Sequence, residues 1–319
     1  MRTIAIINQK GGVGKTTTAV NLAAALVQRR GRAVMLVDLD PQAHATLHLG
    51  IDPEADGHRS VYDVLTRGLA LAEVAQYAED RLALVPAHID LVAAELELAD
   101  TPGREYRLSQ ALRPHGEHFD AAIIDCAPSL GLLTVNALAA ADEVIIPLQA
   151  HFFALQGLGR LLQTIELVRA DINPRLRVGG VLLCMFDRGT RLAQEVAGDV
   201  SGFLAQADPG DPWYGARLFE TRIRRNIKLA ECPSFGQSIF AYDASSHGAE
   251  DYAAFADEVE QVARAGVVHG PVSAEAAPLV AGSGETEPER GGVDEAAALP
   301  GDVPTTPARS AGGPGGPTC

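Results

Sequence analysis

The sequence predicts an α/β fold, a doubly wound and mostly parallel sheet with helices on both faces, and three observations predict it. Short β-branched runs alternate with helical stretches from Met1 to about Ala265. Those runs are continuously apolar rather than alternating, as strands covered on both faces are. Polar residues follow the strands at Gln9-Lys10, Asp38-Leu39-Asp40 and Asp125-Cys126, at the carboxyl ends where such sheets bind ligands.

Thr3–Asn8 reads as the first strand and leads into a glycine-rich loop. Thr16–Arg30 follows as a helix that sets Ala19, Leu22, Ala23, Leu26 and Val27 on one face. Ala33–Val37 is the second strand and runs into Asp38-Leu39-Asp40. Leu82–Pro86, Ala121–Asp125, Glu143–Pro147 and Val178–Met185 are further strands, with helical segments between most of them. From Pro271 to Cys319 there are eight prolines, nine glycines and no aromatic residue. Such a stretch buries too little apolar surface to offset its ordering entropy. The expected organisation is one domain over residues 1–265 and a disordered, acidic Pro/Gly-rich tail over 266–319.

The chain has 319 residues, 47% of them hydrophobic, which is enough for one large domain with a buried core. A net charge of −15 excludes a surface that coats nucleic acid throughout, though not a local basic patch. Cys126, Cys184, Cys232 and Cys319 are scattered, so neither a disulfide framework nor a self-contained zinc site is expected, and a cytoplasmic setting is. No apolar run approaches the ~18 residues of a membrane span, and the first strand runs straight into a polar loop, unlike a signal peptide. Only three of the 26 basic residues are lysines: Lys10, Lys15 and Lys228. Two of them share one loop, where a compact ammonium can do what a planar guanidinium cannot.

That loop is Lys10-Gly11-Gly12-Val13-Gly14-Lys15-Thr16-Thr17, set between the first strand and the first helix. Gln9 stands where the general phosphate-loop pattern has its first glycine, so the strict spacing fails while the chemistry fits. Glycines let successive N–H groups face phosphate oxygens, and the helix N-terminus adds positive potential. Lys15 can reach the β- and γ-phosphates, and the Thr16 hydroxyl can ligate Mg²⁺. Lys10, at the loop's lip, is too far round to hold its own nucleotide easily. Reaching across a dimer to the partner's nucleotide would put its charge where a phosphoryl-transfer transition state gathers negative charge.

Asp38 and Asp40 end the second strand, where a carboxylate can orient water towards a γ-phosphate or hold a metal-bound water. A solvated pair capping the turn before Pro41 is the plainer reading. Asp125 closes the apolar run Ala121-Ala122-Ile123-Ile124, the Walker B pattern, and suits Mg²⁺ held through water. Cys126 beside it reads as a small packed residue. In the C-terminal half, Arg188 and Arg191 start a helix, and Arg222, Arg224, Arg225 and Lys228 fall close together with no acid among them. Sequence-independent contact with DNA phosphates needs such a patch. A solvated basic face is the alternative.

The loop resembles the deviant Walker A motif of the ParA/MinD family of P-loop ATPases. The stretch from Asn8-Gln9-Lys10 to Asn21-Leu22-Ala23 is most similar to its ParA/Soj chromosome and plasmid partitioning branch. Val37 to Gln42, Ile124 to Gly131 and Asn226 to Gly236 agree in order, so the resemblance covers about residues 2 to 265. It implies an ATPase with Lys10, Lys15 and Asp40 as catalytic residues, Asp40 taking the water role. It implies nucleotide contacts from Lys10, Gly11, Gly12, Val13, Gly14, Lys15, Thr16, Thr17 and Asn226, and Mg²⁺ held by Thr16, Asp38 and Asp125. An ATP-dependent homodimer would bind double-stranded DNA without sequence preference through Arg188, Arg191, Arg222, Arg224, Arg225 and Lys228. A ParB-like centromere-binding protein would stimulate hydrolysis and release, at the nucleoid.

One departure is Arg224, which stands where the family usually has a proline, in a loop that touches adenine in relatives. Three other readings share the nucleotide site. A MinD-like membrane regulator would need a basic amphipathic C-terminal helix, and an iron–sulfur carrier would need paired cysteines; the sequence offers neither. A ParA-like positioner of another cargo stays open. Operator binding through an N-terminal helix-turn-helix is not expected, because the first strand starts at Thr3.

Overall fold

The computed structural model describes residues 1–266. Apart from Gly266, the tail expected to be disordered lies outside the described residues.

The chain opens with β1 (Arg2–Ile6), α1 (Lys15–Arg30), β2 (Val34–Leu39), α2 (His44–His48), α3 (Val61–Arg67) and α4 (Leu71–Val74). Then come β3 (Gln76–Glu79), β4 (Leu82–Val85), α5 (Leu91–Glu97), α6 (Arg107–Leu112) and β5 (Ala121–Cys126). α7 (Leu132–Ala140), β6 (Glu143–Gln149), α8 (Ala154–Asp171), β7 (Arg177–Phe186) and α9 (Arg191–Ala205) follow. β8 (Arg217–Arg224), α10 (Ile227–Glu231), α11 (Ile239–Tyr242) and α12 (His247–Gly266) are the last.

The eight strands form one sheet in the order β3-β4-β2-β5-β1-β6-β7-β8. β3 runs antiparallel to β4, and every other pairing is parallel. The strand order reverses beside β1, which places the loop after β1 at the point where open α/β sheets bind ligands. Two of the strands escape a reading based on apolar runs. β3 has four residues, none of them buried, and β8 reads Arg-Leu-Phe-Glu-Thr-Arg-Ile-Arg, mixing charged and apolar residues.

Alternate residues of each central strand feed two cores, as a period of two requires. Ile4, Ile6, Val34, Leu36 and Ile123 pack under α1 and α12, against Leu22, Leu26, Phe255 and Val259. Ala5, Ile7, Met35, Val37 and Ile124 pack against residues of α3, α5, α7 and α8. The sheet is therefore covered on both faces, and its polar chemistry is confined to strand ends. At the opposite strand ends the half-buried Arg2 forms an ion pair with the buried Glu143.

Candidate nucleotide site

Asn8 fixes the start of the loop. Its amide donates to the Pro147 carbonyl at 2.7 Å, and its carbonyl oxygen accepts from the Lys10 N–H at 3.0 Å. The chain then turns through Gly12 (φ 73°) and Gly14 (φ 93°), left-handed conformations that only glycine adopts without strain. Gly14 precedes α1, whose first turn has neither a side-chain cap nor an acid. Its leading N–H groups are thus left for an anion. Val13 is buried behind the loop. Lys15 is buried too, its ammonium donating to the Lys10 carbonyl at 3.2 Å. Burial lowers the Lys15 pKa, and the charges of Asp125 and Asp40 oppose that shift.

Three carboxylates lie near enough to feel one another's charge. Asp38 accepts from the Thr46 N–H (2.8 Å), the Thr46 hydroxyl (2.7 Å) and the Asp40 N–H (3.2 Å). Burial raises its pKa to about 6 even so, because those bonds offset only part of the desolvation. Asp40 falls just past β2, accepts from the Gln42 N–H at 3.0 Å, and faces the pocket. Asp125 is fully buried, and neither of its oxygens has a hydrogen-bond partner. Burial, then the charge of Asp38, hold its pKa well above the usual carboxylate range. Two unpartnered buried oxygens beside Thr16 fit a divalent cation or its water shell. Among the described residues no three His, Cys, Asp or Glu side chains gather into a metal cage. Mg²⁺ takes one or two carboxylates and completes its shell with water and phosphate oxygens.

Above this edge lies a pocket of about 780 Å³. Gly11, Gly12, Gly14, Lys15, Thr16, Thr17 and Asp40 line its phosphate-loop end, and Arg224, Arg225 and Asn226 line the other. Asn226 accepts from the Lys228 N–H at 2.7 Å as the N-cap of α10. Sequence reasoning missed the apolar part of the lining: Met185, Ile223, Ile227, Leu229 and Tyr252, the last hydrogen-bonded to Thr18 of α1 at 3.1 Å. They come from four separate segments, and no local pattern connects them. Lys10 is exposed at the lip, close enough to His151 to help lower that imidazole's pKa, after burial.

The expected DNA-contacting residues fare unequally. Arg188 and Arg225 are exposed, and among the described residues neither forms an ion pair. Arg191 is 92% exposed and pairs with Glu195 one helical turn on. Arg222 is half-buried with its guanidinium 5.9 Å from the centre of the Phe186 ring. Lys228 pairs with Glu231 at 2.9 Å. Arg224 needs correcting as a phosphate contact, because its guanidinium is engaged with Asp251 (2.7 Å) and Glu250 (3.0 Å) of α12. Two acids offset its single charge. The cluster has no acid in sequence, but the fold brings acids to it.

Comparison with known proteins agrees with this geometry. Residues 1–178 match the family model described as an AAA domain. The chromosome partitioning protein ParA of Myxococcus xanthus is 46% identical over 259 residues, covering 81% of this chain and 87% of that protein. The sporulation initiation inhibitor protein Soj of Bacillus subtilis is 45% identical, covering 80% of this chain and 97% of that one. Among solved structures, one of Mycobacterium smegmatis described as cobyrinic acid a,c-diamide synthase, with bound ATP analog and magnesium, is similar with a TM-score of 0.70. It is 37% identical and covers 83% of this chain and 97% of its own. With these likenesses spanning nearly the whole described unit, the chain belongs to the ParA/Soj family of chromosome-partitioning ATPases.

Proposed function

We propose that the ATP-bound form of this partitioning ATPase is a homodimer that holds DNA without regard to sequence. Hydrolysis, stimulated by a ParB-like centromere-binding partner, then releases it at the nucleoid. The observation that carries the nucleotide half is the placement of Lys15, Asp40 and the unpartnered Asp125 around one uncapped helix start.

The loop N–H groups and Lys15 bind and orient the triphosphate of ATP, and Lys15 neutralises charge on the β- and γ-phosphates. Thr16, Asp38 and Asp125 would hold Mg²⁺, and the ion would supply electrostatic neutralisation of the phosphate oxygens. Asp40 accepts a hydrogen bond from the attacking water and aligns it with the γ-phosphorus. Lys10, exposed at the lip while Lys15 is buried, acts on the partner's nucleotide, so turnover waits on dimerisation.

For DNA, the reading rests on Arg188, Arg191, Arg222, Arg225 and Lys228 in a chain whose net charge is −15. One protomer offers few contacts on a surface that otherwise repels DNA. A symmetric dimer doubles them along one duplex, and counterion release grows with the number of phosphates neutralised. The test is binding to unrelated duplexes across a salt series, with ATP and with ADP, for the wild type, Asp40→Ala and Arg225→Glu. Binding should require ATP, ignore sequence and weaken steeply with salt. Asp40→Ala should stay on DNA as an unhydrolysing dimer, and Arg225→Glu should bind ATP but not DNA. Equal affinity in both nucleotide states, or strong preference for one duplex, would sink the switch.

A further inference from the structure

β8 is the outer strand of the sheet and is hydrogen-bonded only to β7. The N–H groups on its other edge therefore need partners. α12 supplies them with carboxylates. Glu258 accepts from the backbone N–H of Glu220 (2.7 Å) and of Thr221 (3.0 Å), and Asp251 accepts from that of Arg224 (2.8 Å). Asp251 and Glu258 lie two turns apart on one face of the helix.

At Arg224 the tie is doubled. Its Nε lies 2.9 Å from Asp251 Oδ1 and 3.0 Å from Oδ2, and its Nη2 lies 2.7 Å from Oδ1. Nη2 also donates to Glu250 at 3.0 Å and to the His247 carbonyl at 3.3 Å. Asp251 is buried, so this forked pair is shielded on the carboxylate side. The next three residues, Arg225, Asn226 and Ile227, line the pocket. Just beyond them Leu229 abuts Gly248 in the first turn of α12, where a Cβ would come within 2.7 Å of Leu229 Cγ. The wall segment is held to the same helix turn at both its ends.

We propose that Arg224 is a positioning residue for the nucleotide. Its main-chain and side-chain bonds to Asp251 fix the wall formed by Arg225, Asn226 and Ile227, and so set the affinity of the pocket for the base half of ATP. The proposal rests on the reading that the pocket takes ATP. Arg224 itself reaches the pocket, but Asp251 and Glu250 offset its charge, so it acts by holding the wall it begins. The geometry asks for arginine: lysine offers one ammonium in place of the fork, and proline deletes the N–H that Asp251 accepts.

The test separates the two halves of the ligand. Binding of ATP and of inorganic tripolyphosphate, which fills only the phosphate-loop end, is measured with Mg²⁺ on the full chain. The variants are Arg224→Ala, Arg224→Lys and Asp251→Asn, with thermal unfolding as the check on folding. ATP should bind Arg224→Ala and Asp251→Asn about tenfold more weakly while tripolyphosphate changes by less than about twofold, with Arg224→Lys in between. If Arg224→Ala does not fold, the other two variants carry the comparison. Equal losses for both ligands, or unchanged ATP affinity in the folded variants, overturn the proposal. A wild type that binds neither ligand sinks the nucleotide reading on which it rests.

Discussion

Asp38 and Asp125 stand directly opposite each other on β2 and β5, both fully buried, yet only Asp38 is hydrogen-bonded. A buried carboxylate without a close hydrogen bond destabilises a fold unless a cation or a proton joins it, and the nearby Lys15 and Thr16 offset only part of the burial of Asp125. Asp125→Asn should therefore raise the stability of the nucleotide-free protein in chelator by roughly 1–3 kcal/mol. The same variant should lose the extra stabilisation that Mg²⁺ adds to the ATP-bound wild type. Thermal unfolding with and without Mg²⁺ measures both effects. A variant less stable than the wild type in chelator would mean that Asp125 is already compensated.

Lys10 and Lys15 share a loop but differ in burial, and their variants should differ in kind. Lys15→Ala leaves the phosphates unneutralised, so ATP affinity should fall by about a hundredfold or more. Lys10→Ala should keep near-normal affinity and lose ATP-dependent dimerisation and turnover together. Nucleotide titration and sedimentation, run on both variants, distinguish these outcomes. Normal hydrolysis by a monomeric Lys10→Ala protein would remove the role assigned to Lys10 across the interface.

His48 makes folding sensitive to acid. It is buried on α2 with Nε2 3.5 Å from Cys232 Sγ, and burial lowers its pKa to about 4. In the unfolded chain it takes a proton near its ordinary value of 6.5. The neutral form contributes its full stability above that value and loses it as pH falls towards 4. At pH 5 the loss is about 2 kcal/mol. Urea unfolding at pH 7 and pH 5 should show a drop larger by about that amount in the wild type than in His48→Gln. Equal drops would show that His48 takes a proton as readily folded as unfolded.

What could be read from the sequence was whatever a local pattern encodes. The phosphate loop, the acids that end β2 and β5, and the central strands are contiguous signals, and they fall where expected within a residue or two. β3 went unseen because four residues, none of them buried, pairing antiparallel at an edge leave no apolar run. β8 went unseen because an edge strand whose outer N–H groups meet a helix can alternate arginine with apolar residues, so it read as a charge cluster. The role of Arg224 was hidden for a related reason. Its partners Glu250 and Asp251 lie far along the chain and meet it only once α12 crosses β8.

The carboxylates that α12 sets along β8 also decide how copies of this protein can meet. A bare outer strand is a template on which another chain's strand can zip, the usual route to runaway sheet growth and fibres. Here Glu258 and Asp251 already accept from three N–H groups of β8, and an incoming strand would have to displace two acids and a helix. Sideways extension at β8 is opposed by that helix. Self-association is left to other faces, among them the strand ends with the phosphate loop, where it can answer to a small molecule.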